Sequence, residues 1–298
     1  MDYIGEIAAL LTSFFFSITA VIFTLAGRQV GSMITNRVRL VIALLYLLLI
    51  NLVLFGRPLP IGAGVHRWFW LAVSGIIGLA LGDMFLFAAY ERIGARMGML
   101  MMSLAPVIGA VVAWIFFGEM LSAGQIAGIA LTLAGIAWVV ASRPTDETVH
   151  PRASRLGILF GVLAATGQAV GLVLSKQGMS NDFSPFAANV IRMLAATIVF
   201  WGVTVVQRQA RPTIHAVRVH PSALKLLAFG ALVGPVLGVS ASLLAIQHAP
   251  IGVASTLMAL PPVFLLPIGY FVFKERFGWQ TVIGTFVAIA GVALLFLV

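Results

Sequence analysis

The sequence predicts an all-α integral membrane protein whose ten transmembrane helices form two inverted five-helix repeats. Three observations predict it. The chain is 61% hydrophobic and only 9% charged, with a mean hydropathy of +1.10, far from the composition of a soluble domain. Its apolar residues gather in charge-free runs longer than the roughly 20 residues a helix needs to cross a bilayer. Beyond a polar linker near the midpoint, the pattern of the first half returns.

Apolar runs set against charged or Pro/Gly-rich breaks place the helices in order. The first is expected over residues 5 to 27; Asp2 and Glu6 precede or open it and no early Lys or Arg does, so it reads as a retained span and not as a signal peptide. The second and third follow at 33 to 55 and 67 to 91. The fourth, 95 to 117, and the fifth, 121 to 142, occupy charge-free runs of 22 residues (Met97 to Gly118) and 23 residues (Met120 to Ser142). The sixth and seventh are expected at 156 to 177 and 185 to 206. The 48 charge-free residues from Leu226 to Phe273 hold the eighth and ninth, 224 to 247 and 250 to 273, divided at "QHAPIG" because proline and glycine end helices. The tenth runs from 277 to 298. The longer connections are 56 to 66, 143 to 155 and 207 to 223, and the middle one, "RPTDETVHPRASR", is the polar linker.

A shift of 156 residues lays "GLALGDMFLFAAYERIG" over "GPVLGVSASLLAIQHAP" and continues to the end of the chain without a gap. Gly78 meets Gly234, Gly82 meets Gly238, Pro106 meets Pro262, Glu119 meets Glu275, Gly128 meets Gly284 and Gly135 meets Gly291. Upstream, a shift of 153 lays "NRVR" (36 to 39) over "NVIR" (189 to 192). The expected organisation is a first repeat over 1–142, a linker over 143–155 and a second repeat over 156–298. Five spans per repeat is an odd number, so the second repeat enters the membrane from the opposite side. Inverted repeats around a central site are a route to alternating access.

The segments "Pro106-Val107... Phe117-Gly118-Glu119" with Gly124, Gly128 and Gly135, matched by "Pro262-Val263... Lys274-Glu275" with Gly284 and Gly291, resemble the EamA family of the drug/metabolite transporter superfamily. The resemblance covers essentially the whole chain and departs from itself at one point, Lys274 where the first copy has Gly118. It implies a ten-helix transporter in a cell membrane (inner or plasma) that exports or exchanges small metabolites, often amino acids. It also implies cytoplasmic termini, and helices three, four, eight and nine as walls of the cavity.

Asp83 is the carboxylate inside the third span, and its repeat partner is Val239. An ionisable group at a helix centre costs about 2.5 to 3.5 kcal/mol on insertion scales, so it faces protein or water and has a partner or a task. Three readings stand: a proton or cation site, a structural pair with an arginine, or a carboxylate near the water interface. Arg39 and Arg192 each follow an asparagine by three residues, Asn36 and Asn189, and read as symmetric structural residues or, for Arg192, as the partner of Asp83 or of a solute carboxylate. Gln168 carries an amide with four hydrogen-bonding positions to fill, so it and Ser240 are expected to orient the solute. Ser242, Tyr90 and Trp114 complete the candidate substrate-binding set, with backbone bonding for the serine and ordinary helix packing for the aromatics as the alternatives. Glu119 and Glu275 are expected to accept backbone N–H groups at the start of the helix that follows each. Gly-xxx-Gly ridges suggest helices that pack closely and slide, and Pro235, Pro261, Pro262 and Pro267 are candidate hinges.

The absence of cysteine removes thiol nucleophiles, disulfides and Cys-based metal sites. No HExxH or GxSxG occurs, and four of the five histidines fall in connections, so an intramembrane enzyme has little material and no catalytic or metal residue is assigned. A channel would need rings of like charge. No organic cofactor is implied. The net charge of +9 is assigned to lipid headgroups at span ends and not to nucleic acid. The expected partners are therefore a small-molecule solute, membrane lipids and a coupling proton. The positive-inside rule opposes cytoplasmic termini, because Arg208, Arg211, Arg218 and Lys225 would then face outward with the linker arginines.

Overall fold

A computed structural model describes residues 3–142, 155–180, 183–273 and 278–297, and among them every regular element is helical. Eight helices are long and apolar enough to cross a membrane. They are α1 (Ile4–Val30), α2 (Ser32–Phe55), a third span formed by α3 (Val65–Gly75) running into α4 (Asp83–Met102), α6 (Ala123–Ser142), α7 (Arg155–Gly178), α8 (Pro185–Val206), the run of α10 (Pro221–Ala231) into α11 (Val239–His248), and α14 (Trp279–Leu297). The expected fourth and ninth spans are not single long helices. In the first half α4 runs on to Met102, the chain breaks at Ser103 and Leu104, and α5 (Ala105–Phe117) follows. In the second, α12 (Ile251–Met258) is separated from α13 (Pro261–Phe273) by Ala259 and Leu260. The breaks are equivalent under the 156-residue shift. Proline occupies the first turn of α5 and α13, where its missing N–H is no loss, so each helix restarts there. The connection expected over 207 to 223 also folds, as the short helix α9 (Ala210–Val219). Pro212 lies in its first turn, and Thr213 is buried beneath it.

Both third-position spans carry a widened, π-type turn, Ile76–Gly82 and Leu232–Gly238, again equivalent under the shift. Such turns insert a residue into the ladder and recur at functional sites. The second contains Pro235, which has no N–H to donate. The first presents Gly78 against another helix, so tightly that a Cβ on Gly171 would lie 2.9 Å from the Gly78 Cα.

The halves embrace each other crosswise. α7 runs against the third span of the first half through Gly157 to Ile93, Gly167 to Gly82, Gly171 to Gly78 and Gly178 to Leu71. α1 runs against α10 and α11 through Gly5 to Ala249, Phe16 to Gly238, Thr19 to Gly234 and Phe23 to Gly230. In each series one number rises as the other falls, so the helices are antiparallel. α6 and α14 pair in the same way, Gly135 meeting Gly284 and Ala288, and Gly128 meeting Gly291 and Leu295. Leu71, Ile191, Leu243, Ile246, Ile251 and Leu257 form one core, and Leu40, Leu47, Val190, Met193 and Phe200 a second.

These contacts define two ends. At one, the start of α2 meets α9 and α10 through Arg37 to Thr213 (3.1 Å) and Ser222 to Gln29 (2.7 Å). At the other, Arg67 donates to the Ser180 carbonyl (3.0 Å), Gly5 packs on Ala249, and the Tyr3 and Phe296 rings lie 5.4 Å apart.

Candidate functional site

Asn36 and Arg39 lie one turn apart on the same face of α2. Arg39 Nε donates to Asn36 Oδ1 at 2.6 Å, and its Nη2 pairs with Asp83 Oδ2. The guanidinium also lies over the Phe23 ring of α1, 5.5 Å from the centroid. Asp83 is 6% exposed and is the first residue after the widened turn. Gln168 of α7 donates to Asp83 Oδ1 at 3.4 Å, brought there because Gly167 sits against Gly82. The carboxylate thus receives donors from two helices. Its ion-pair partner is Arg39 and not Arg192, which corrects that expectation. Arg39 sits three residues after an asparagine that fixes its Nε, and its charge falls beside Asp83.

The second half builds the matching position without a carboxylate. Asn189 Nδ2 donates to the Pro235 carbonyl (2.9 Å) and to Ser240 Oγ (3.0 Å), holding α8 to the widened turn and α11. Arg192 is 2% exposed, and its Nε and Nη1 are buried with no hydrogen-bond partner among the described residues. Its Nη2 lies 3.6 Å from the position a Cβ on Gly78 would take, five residues before Asp83. A Cβ on Gly75 would collide with the Arg192 carbonyl, so the bare glycine surface lets α8 reach this depth. One carboxylate and two guanidinium groups therefore gather around one widened turn, and one guanidinium keeps open donors.

The other expected residues lie elsewhere. Ser242 is buried but donates to the Val239 carbonyl of its own turn (2.7 Å). Trp114 is 57% exposed on α5 and lies outside the cluster, because Pro106, Gly109 and Ala113 form the buried face of that helix. The Tyr90 side chain lies outside the described residues, as do Lys274 and Glu275. Glu119 does not cap the helix that follows it. Ser122 and Gln125 cap α6 reciprocally (3.0 and 3.1 Å), which leaves Glu119 free to cross to the second half. Its Oε2 accepts from the Ile251 N–H (2.9 Å) at the start of α12, and its Oε1 accepts from Lys176 Nζ (2.6 Å). Gly118, at φ 65, supplies the left-handed turn that ends α5 just before it. Asn189 lies outside the candidate set that the sequence supports, and the recurrence of Asn-x-x-Arg in both halves is the sequence signal that points to it.

Over 239 residues the chain is 24% identical to a WAT1-related chloroplastic protein of Arabidopsis thaliana, covering 80% of this chain and 57% of that protein. A protein of known crystal structure superposes with a TM-score of 0.69 at 18% identity, over 99% of this chain and 96% of the other, and this likeness is one of fold. The sequence model of the EamA-like transporter family matches twice, over residues 3–141 and 155–297. With both halves matched, the chain belongs to the EamA-like transporter family, and its apolar helices make it a multi-pass membrane protein.

Proposed function

We propose that the protein is a secondary transporter, an exporter or exchanger of small organic metabolites, with amino acids or related compounds as the favoured class. It works by alternating access between two inverted repeats, 1–142 and 156–298, joined by the linker 143–155. The observation that carries the reading is that Asp83, held by Arg39, and Arg192, whose Nε and Nη1 are without partners among the described residues, lie around one widened turn. An α-amino acid offers one ammonium and one carboxylate. Asp83 answers the first and Arg192 the second, while Gln168 and Ser240 fix orientation. The antiparallel pairing of equivalent helices α6 and α14, and the crosswise seating of α1 and α7, support inversion and give the halves glycine-lined surfaces on which to rock.

Asp83 is also the proposed coupling site. A proton or a solute ammonium that takes the carboxylate releases Arg39, and the α2 contact with the third span loosens. Counterflow of labelled amino acids in proteoliposomes, with and without a pH gradient, tests both roles. The intact protein is expected to exchange solute and respond to the gradient. Asp83→Asn is expected to lose the response and to exchange ammonium-bearing solutes only at raised KM, and Arg192→Gln to raise the KM for carboxylate-bearing solutes at least tenfold, about 1.4 kcal/mol. Identical flux in Asp83→Asn and the intact protein under both conditions refutes the coupling role.

A further inference from the structure

A cleft of about 90 Å³ opens between α2, the widened turn Ile76–Gly82 with the start of α4, and the last turns of α8. Its walls are apolar, formed by Met33, Leu81, Met84, Val199, Phe200 and Val203. Two of these are well exposed, Leu81 at 37% and Val203 at 42%. The cleft therefore opens outward and differs from the Asp83 cluster, which points to α7. Its mouth is polar. Gln207 and Arg37 line it, Arg208 follows at φ 58 and turns the chain into α9, and Thr213 of α9 accepts from Arg37 Nη1 at 3.1 Å. Arg37 is 8% exposed, and its Nε is buried with no partner among the described residues. A guanidinium that is deeply placed, half satisfied and set at the end of an apolar cleft asks for an anion attached to a hydrocarbon chain.

We propose that this cleft binds an anionic phospholipid, with the headgroup phosphate on Arg37 and the rim formed by Gln207 and Arg208, and the upper part of an acyl chain along Met33, Leu81, Met84 and Val203. Charge complementarity selects the ligand. Arg211 and Arg218 on α9, Lys225 on α10 and Arg28 in the last turn of α1 put further cations at the same end of the molecule. A zwitterionic lipid offers the same hydrocarbon but not the net negative charge. The site lies beside the transport cluster and not in it, and it holds whether or not Asp83 couples transport.

The test is native mass spectrometry of the full chain, purified in detergent and equilibrated with equal amounts of phosphatidylglycerol and phosphatidylcholine of matched chains. The intact protein is expected to retain phosphatidylglycerol preferentially. Arg37→Gln is expected to lower that preference about fivefold, the worth of one cation at a lipid surface. Val203→Trp fills the cleft and leaves every charge in place, and it is expected to lower retention of phosphatidylglycerol severalfold. Arg57→Gln, at the opposite end of the molecule, is expected to change nothing. If Arg37→Gln fails to fold, Val203→Trp decides. Retention unaltered in the folded cleft variants overturns the proposal. So does displacement of the bound lipid by millimolar inorganic phosphate as effectively as by phosphatidylglycerol, since the site would then read a phosphate alone.

Discussion

Arg39 and Asp83 share one contact, buried on the Asp83 side and partly exposed on the Arg39 side, so each keeps the other's charge tolerable inside an apolar bundle. Removing one member of a buried pair leaves the other uncompensated, which costs several kcal/mol, whereas removing both together is far less harmful. Asp83→Asn is expected to destabilise the purified protein by about 3 kcal/mol, and Arg39→Gln by a similar amount. The double variant is expected to recover at least about 1 kcal/mol of the summed loss, read as thermal melting of intrinsic tryptophan fluorescence in detergent. Strict additivity would mean that the two groups do not depend on each other. Glu119 works differently, because it serves two partners with two oxygens. Glu119→Gln keeps an acceptor for the Ile251 N–H and loses the ion pair with Lys176, a loss of about 1 kcal/mol for a partly exposed pair. Glu119→Ala loses both, about 2 kcal/mol in total, because the start of α12 is then left without its cap. Equal melting temperatures for the two variants would remove the capping role.

Elements are joined here by glycines that stand where helices cross. α6 and α14 touch backbone to backbone at Gly135, where a Cβ would collide with the Ala288 main chain. Gly135→Val is therefore expected to cost about 1 to 3 kcal/mol, as overpacking does. Val at neighbouring Ala134, an exposed position, is expected to cost less than about 0.5 kcal/mol. Comparable melting of the two variants would show that this crossing is loose. Much of this level was legible in the sequence, because a close crossing admits little but glycine, and the repeat keeps Gly78 with Gly234 and Gly128 with Gly284. The breaks at Ser103 and Ala259 were not legible, since a charge-free run reads as one span whether or not its helix is interrupted. The partner of Asp83 was hidden for another reason. Both arginines follow an asparagine by three residues, and which one meets a carboxylate depends on the packing of α2 and α8 against the two third spans, where one repeat has Asp83 and the other Val239. Trp114 was misplaced for want of the same information, because a helix with no strong polar face does not announce which side is buried.

On the scale of the whole molecule the two ends carry unequal charge among the described residues. Arg28, Arg37, Arg92 and Arg155 gather at the end where α9 lies, and Arg208, Arg211, Arg218 and Lys225 join them in and around that helix. The opposite end has Arg57, Arg67 and Lys176, offset by Glu6 and by Glu119, which already holds Lys176. Lys and Arg near span ends hold a loop on the cytoplasmic side, and acidic residues contribute little to that bias. The α9 end is therefore expected to face the cytoplasm, with residues 3 and 297 on the other side, the reverse of what the family resemblance implies. An anionic cytoplasmic leaflet would then sit against the cleft at Arg37. The chain contains no cysteine, so single substitutions report without a background. Ser222→Cys marks the α9 end and Ser180→Cys the other. In intact cells a membrane-impermeant maleimide is expected to label Ser180→Cys and to reach Ser222→Cys only after permeabilisation. The converse pattern would mean that the cationic end faces outward, and that the basic residues around α9 are set by something other than the insertion rule. Labelling of both in intact cells would mean that the chain inserts in two orientations.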